Sequence, residues 1–390
     1  MAAISTFAKK LIKRKYPVGP GRIVVWSLAL LGVAVIITRW VLGLGATTNL
    51  TDGRGWGIWI SFDILTGIGV SAGAFTLAAI VYIFNHEKYH EIVRATILTA
   101  FIGYFLAACT LLVDLGFPYR IWHLIIYWNV HSPLFEVGWC VMLYLAVLAL
   151  EFSPAVFESW GWKAPLKIIR SIQIPLVVTG IVLSCMHQSS LGTLWTILPY
   201  RVHPLWYSMM SPVLFITHAM CAGLAMTVLE SHNSAYGFGY KFEKNVVGSL
   251  VKLIPWILGL YLLERVIDVV AFNKWQYLFG AGSASIMWWF EILAGVVAPV
   301  VLFSMKRVRK NRFAMLWSAG LLLFGFVLNR FNTSLFFFDG APYLPTFIEI
   351  ATSVGLVCIG ITIYDVAARL FPFLPEPEEQ KTAVVPAPSS

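Results

Sequence analysis

Apolar and polar positions alternate along this chain in long blocks, not with the short period of an amphipathic helix or strand. Ten apolar runs stand at about 23–43, 57–84, 95–115, 133–152, 166–189, 212–230, 246–271, 285–305, 313–331 and 346–371, separated by short polar stretches. Each is roughly 19 to 28 residues long, and about 20 residues of helix cross the hydrocarbon core of a bilayer. The pattern predicts an all-α polytopic membrane protein with about ten transmembrane helices over 23–371. A basic segment, 1–22, precedes them, and a tail with Pro, Glu and Ser, 372–390, follows and is expected to be mobile. The first run comes after Lys9, Lys10, Lys13, Arg14, Lys15 and Arg22 and has no small-x-small cleavage site. It reads as a retained signal anchor.

Composition agrees with the pattern. Hydrophobic residues make up 59% and charged residues 12%, against about 45–50% and about 25% in soluble domains. A soluble enzyme and a disordered regulator are excluded. The net charge of +9 raises the question of nucleic acid, and the placement of the cations answers it. Twenty-one Lys and Arg fall on the side of the two termini, six on the other (Arg39, Arg54, Arg120, Arg201, Lys274, Arg330), and Arg265 lies inside a run. This asymmetry is the positive-inside rule with both termini cytoplasmic, so the charge is topological and no nucleic-acid partner is needed.

Cys109, Cys140, Cys185, Cys221 and Cys358 each fall in a different run, with no C-x-x-C or C-x-x-C-H spacing. An iron–sulfur cluster, a c-type haem or a zinc ribbon on this chain is not expected. Gly69 and Gly73 form G-x-x-x-G inside an apolar run, a helix-packing device and not a phosphate loop. The stretches 116–132 and 191–211 carry Tyr119, Trp122, Tyr127, Trp128, Trp195, Tyr200, Trp206 and Tyr207. Rings of this kind favour the water–lipid boundary, so short helices lying in the outer interface are expected there. Pro175 and Pro255 interrupt runs, and a midplane transporter site on broken helices is one alternative reading.

Ionisable groups inside spans are costly and mark candidate sites. Asp63, Asp114, Glu136, His187, His218, Glu264, Arg265, Asp268, Glu291 and Glu349 all map to the outer half of the membrane under this topology. Glu151, Glu230 and Asp365 sit at inner ends, where water is near. A proton-coupled event near the outer face is expected, which argues against both a midplane transporter and a purely structural anchor. Glu264 and Asp268, four apart on one helical face, would repel as two anions, so either Arg265 or Lys274 compensates one or one acid is protonated. Asp63, Asp114, Glu136 and His187 have no cation nearby in sequence and are candidates for proton exchange. His187 and His218 raise the possibility of a b-type haem, but quinone contact or proton transfer suits them better.

The stretches GWGIWISFDIL (55–65), SPLFE (132–136), ALEFSPAVFE (149–158), MHQSS (186–190), HPLW (203–206) and YLPTFIE (343–349) occur in this order between the runs. The chain thereby resembles the NrfD/polysulfide-reductase membrane subunits, in their HybB (hydrogenase-2) branch. The resemblance implies two four-helix bundles with peripheral helices, in the bacterial inner membrane. It implies a subunit that reacts with menaquinone or ubiquinone and carries no haem or iron–sulfur cluster of its own. Its partner would be a periplasmic ferredoxin-like iron–sulfur subunit, with hydrogenase subunits or a multihaem cytochrome c beyond it. On that reading Asp63, Asp114, Glu136 and His187 carry protons, while His187, His203, Tyr104 and Trp206 hold the quinone headgroup.

Overall fold

A computed structural model describes residues 18–374 of the chain. The basic cluster ahead of residue 18 and the tail beyond residue 374 lie outside the described residues. All ten runs form helices in the expected order: α1 (Pro20–Leu42), α2 (Trp59–Ile83), α3 (Glu87–Asp114), α4 (Pro133–Trp160), α5 (Gln173–Thr196), α6 (Ser211–Phe238), α7 (Lys244–Ala271), α8 (Ser283–Ser304), α9 (Arg312–Phe336) and α10 (Phe347–Leu370). Among the described residues there is no β-sheet; two isolated bridges, Thr51 with Arg54 and Val202 with Phe338, tie loops together.

Boundaries move where polar residues continue a helix past its apolar run. α4 extends beyond the expected 152 to Trp160, with Pro154 inside it. α5 begins at Gln173 and not at 166, because Lys163–Ser171 is a separate helix with no buried residue. Lys163, Lys167 and Arg170 share one stripe of that helix, which suits the bilayer boundary. Pro175 does not break its helix, whereas Pro255 follows a short 3-10 turn, Val251–Leu253, that interrupts α7. Both prolines stand in first turns, of α5 and of the helical segment beginning at Ile254, where a missing N–H costs nothing.

Helices α2, α3, α4 and α5 pack in a closed ring, each on the next and α5 back on α2. Helices α6, α7, α8 and α9 form a second ring, joined to the first through contacts of α6 with α2 and α5. α1 and α10 pack chiefly on each other, with lesser contacts to α3 and α2, outside both rings. The rings meet at Gly73 and Gly223, where a Cβ on either residue would overlap the other's backbone. Small residues let helices approach this closely, and Gly69 of the same motif faces the Phe326 ring of α9.

One face holds residue 18, residue 374 and the connections after even-numbered helices; this is the terminal face. The other holds 43–58, 115–132, 197–210, 272–282 and 337–346, and three of these interlock into a cap. Arg54, 6% exposed, donates to the carbonyls of Leu335 and Phe338, while Asp339 N donates to Arg201 O at 2.6 Å and His203 N to Phe337 O at 3.0 Å. Trp206 stacks on Phe337 at 4.4 Å and Trp56 on Phe338 at 5.3 Å. The two aromatic stretches thus part company. The 115–132 segment contains a short helix and exposes Tyr119, Trp122, Tyr127 and Trp128, as an interfacial segment should. The stretch 197–210 is irregular, not an interfacial helix, and buries Leu205, Trp206 and Ser208 beneath the cap.

Candidate functional site

The first ring holds a chain of buried neutral groups. His187 of α5 and Tyr104 of α3 are fully buried, and the Tyr104 hydroxyl shares a hydrogen bond with His187 Nδ1 at 3.1 Å. The Tyr104 ring meets that of Tyr144 of α4 edge-on at 4.7 Å. One turn before His187, Ser184 Oγ donates to Ala72 O of α2 at 3.2 Å, holding α5 against the ring wall. His187 Nε2 has no partner, nor do Gln188 Oε1 and Nε2, nor Trp195 Nε1, although all are buried. Each buried polar group left unpaired costs about 1–3 kcal/mol. Four such atoms fall within nine residues of α5. From Trp195 the line reaches the cap, since its ring meets Trp56 at 5.3 Å, nearly perpendicular.

Toward the terminal face the same ring opens. A cavity of about 270 Å³ is walled by Tyr82, His90, Arg94 and Gln173 and also touches Glu151. At its mouth Arg94 and Arg170 both bind Glu158, at 3.1 and 2.8 Å. A second cavity, of about 10 Å³, lies between Glu151 and Tyr144, and space of that size holds about one water. Glu151 accepts no hydrogen bond from the described residues.

The residues singled out from the sequence fall into separate neighbourhoods. Tyr104 and His187 come together in the first ring. His203 and Trp206 come together in the cap, with ring centroids 5.8 Å apart. Burial pushes the His203 imidazole below its ordinary pKa, so it is neutral at pH 7. The three carboxylates stand apart at the cap-side ends of their helices. Asp63 lies in a π-helical turn of α2 and accepts from Ser353 Oγ of α10 at 2.6 Å. Asp114 ends α3 with one buried oxygen unpaired, beside Leu115, whose carbonyl accepts from Arg39 at 2.7 Å. Glu136, half-buried in the first turn of α4, accepts no hydrogen bond from the described residues.

The second ring is charged and interlocked. Glu291 of α8 accepts from Trp206 Nε1 (2.8 Å), Asn329 (2.8 Å) and Asn332 (2.7 Å) and lies 3.5 Å from Arg265. The expected compensation at Glu264 and Asp268 takes a definite form: Lys274 lies 2.6 Å from Asp268, while Glu264 accepts from Thr217 at 2.7 Å. His218 is clamped between Tyr261, stacked at 4.4 Å, and Phe326 at 4.8 Å. His187 packs instead on Tyr104, and both nitrogens of His218 are buried without a partner.

Two comparisons bear on this arrangement. The family model described as "Polysulphide reductase, NrfD" matches residues 46–334, which contain both four-helix rings. The chain belongs to the NrfD family. It is similar to the probable Ni/Fe-hydrogenase 2 b-type cytochrome subunit of Escherichia coli, 34% identical over 89% of this chain and 91% of that one. A protein of Nitratidesulfovibrio vulgaris is 37% identical over 93% and 97% of the two chains. The menaquinone reductase integral membrane subunit of the same organism is 28% identical over 86% and 87%.

In this NrfD-family chain several of the stretches that carry the resemblance have structural work. In YLPTFIE, Thr346 and Glu349 form a capping box at the start of α10, and Glu349 also accepts from Tyr343 at 2.5 Å and Asn49 N at 3.2 Å. Glu349 is an architectural acid. In SPLFE, Ser132 caps α4 through Phe135 N. Reasoning from sequence missed Gln188, Trp195 and the Asn329 and Asn332 pair. The polar residues following His187 and the interruption NRFNTS in an apolar run were the available signals.

Proposed function

We propose that this chain is the quinone-reactive integral membrane subunit of a respiratory redox complex. It exchanges electrons between a partner protein docked on the cap face and menaquinone or ubiquinone, its substrate, bound in the cap-side half of the first ring. The supporting observation is the line of buried, unpartnered atoms at His187, Gln188 and Trp195. A quinone presents two carbonyl oxygens that accept hydrogen bonds and become hydroxyls on reduction. Imidazole, amide and indole N–H groups serve the first state; the second requires two protons with the two electrons, and His187 with Tyr104 can pass one of them while the cap-side carboxyls supply the other. The names of the hydrogenase and menaquinone reductase relatives agree with this reading. The positive-inside distribution favours a periplasmic cap face and cytoplasmic termini, in the inner membrane.

Asp63, Asp114 and Glu136 are the proton carriers toward the cap face in this proposal. The Tyr104–Tyr144 contact and the cavities flanking Glu151 offer a route to the terminal face. The partner is an iron–sulfur or cytochrome subunit, with hydrogenase subunits or a multihaem cytochrome c beyond it. The Escherichia coli relative's name includes a b-type cytochrome, but His187 and His218 do not fit a shared haem, since each imidazole is packed on tyrosine in a different ring. The transporter reading loses Pro175 as a helix break, because it sits in the first turn of α5.

The test is quinone content and quinol-analogue inhibition of the purified native complex, with an optical spectrum of the same sample and of its separated subunits. Bound quinone and inhibitor-sensitive electron transfer, both lost in His187→Leu, are expected. An intact complex with neither property refutes the proposal.

A further inference from the structure

The second ring holds one cation that its carboxylates do not answer. Arg330 of α9 is 1% exposed, yet it forms no ion pair among the described residues. The acids of this ring are already engaged. Asp268 is taken by Lys274, and Glu264 turns to Thr217. Glu291 accepts from Asn329 and Arg265 at Oε1 and from Trp206 and Asn332 at Oε2.

The surroundings of Arg330 are aromatic instead. Its guanidinium carbon lies 3.6 Å from the centre of the Phe215 ring of α6 and 4.6 Å from that of Phe326. Rings attract a guanidinium but do not cancel its charge. Nη1 reaches only the neighbouring Asn329 Oδ1, at 3.4 Å, and Nε and Nη2 are buried with no partner. The same Phe326 ring borders His218, at 4.8 Å, and both imidazole nitrogens are likewise buried and unpartnered. A permanent cation enclosed in a membrane span without a counter-ion is among the costliest groups a protein can bury.

We propose that the second ring binds one small monovalent anion, of the size of a halide, at Nε and Nη2 of Arg330 beside His218. The sign of the ligand follows from Arg330, which only donates and stays charged. Its size follows from the donor set. Two guanidinium nitrogens and a single N–H of a neutral imidazole suit one atom, whereas a phosphate or sulfate would leave most of its oxygens against Phe215, Phe326 and Tyr261. The competing occupant is water, which could accept from Arg330 and also donate to Asn332 Oδ1, another buried atom without a partner. Water answers the hydrogen bonds and leaves the charge uncompensated; an anion answers both. The ion stands in for the carboxylate that Arg330 lacks and fastens α9 to α6.

The experiment uses the full chain purified in mild detergent and exchanged into gluconate, an anion too large for the site. It is then melted with chloride, bromide or sulfate added at constant ionic strength. Chloride and bromide should raise the thermal midpoint along a saturating curve, and sulfate should not, because only a ligand that binds the folded state shifts it. Arg330→Met should lose the halide response, while Arg201→Met on the cap should keep it. Should Arg330→Met fail to assemble, the native chain decides alone: in crystals soaked with bromide, the anomalous signal should fall beside Arg330. A midpoint indifferent to halide leaves water as the occupant and overturns the proposal. So does an equal response to sulfate, a halide response that survives in Arg330→Met, or bromide found only elsewhere.

Discussion

The two four-helix rings differ in how they hold their buried carboxylates. In the second ring every carboxylate has a partner: Glu291 takes three hydrogen bonds and an arginine, Asp268 a lysine and Ser208, Glu264 a threonine. In the first ring Asp114 keeps a buried oxygen unpaired, and His187 Nε2 and both ends of the Gln188 amide have no partner, while in the second ring both nitrogens of His218 and two of Arg330 are likewise unpartnered. A buried polar group that is fully bonded holds helices together, and one left unbonded can take a ligand or a water. Charge inside a membrane span is therefore a poor guide to chemistry until its partners are known.

The largest effect that would break this contrast lies at Glu291. Glu291→Leu leaves Arg265 without its carboxylate and three amide or indole donors without an acceptor. Removing one partner of a buried ion pair costs about 3–5 kcal/mol. The variant is expected to yield little monodisperse protein by size-exclusion chromatography. Normal yield with lost quinone turnover would instead make the second ring the reactive one.

His187 should behave in the opposite manner. His187→Leu is expected to assemble normally and to lose quinone-linked electron transfer by about 100-fold, the lower end of what a positioned proton-transfer group contributes. Tyr104→Phe removes only the hydroxyl 3.1 Å from Nδ1 and should cost less, about ten-fold. Steady-state rates with a soluble quinol analogue check both. If assembly fails while the residual protein turns over normally, His187 is a packing residue.

Much of this was legible in the sequence, and the remainder was hidden for identifiable reasons. Ten helices and their order follow from hydrophobic length alone, because the bilayer demands it. The depth of Asp63, Glu291 and Glu349 was equally readable, but their roles were not, since a carboxylate's function depends on partners distant in the chain. Glu349 is bonded to Asn49, and Glu291 to residues of the cap and of α9. No spacing rule predicts such pairs. Gln188 escaped notice because it is uncharged, and hydropathy weighs an amide lightly even where it has no partner. His203 and Trp206 were expected beside His187; instead the cap turns them over the second ring, where Trp206 binds Glu291.

Glu136→Gln sharpens the comparison at intermediate scale. Its carboxylate accepts no hydrogen bond from the described residues, so the amide should leave assembly intact. Quinone turnover should fall about ten-fold if Glu136 carries protons to the site. Unchanged turnover removes it from the mechanism and leaves Asp63 and Asp114 as the carriers on the cap side.

The smallest expected effect carries the most specific argument. Replacing a buried polar side chain that lacks partners by an apolar one of similar size relieves its desolvation cost, about 1–3 kcal/mol. Gln188→Leu should therefore raise the thermal midpoint of the purified protein while weakening quinone-analogue inhibition, the trade between stability and function expected of a site residue. The matched control is Asn329→Leu in the second ring, where the amide donates to Glu291 at 2.8 Å and its loss should lower the midpoint. Opposite signs show that the Gln188 amide lacks a partner within the protein while the Asn329 amide has one, and the weakened inhibition then ties Gln188 to the quinone. The same sign in both would mean that the unpartnered atoms of α5 are ordinary packing and that the site lies elsewhere.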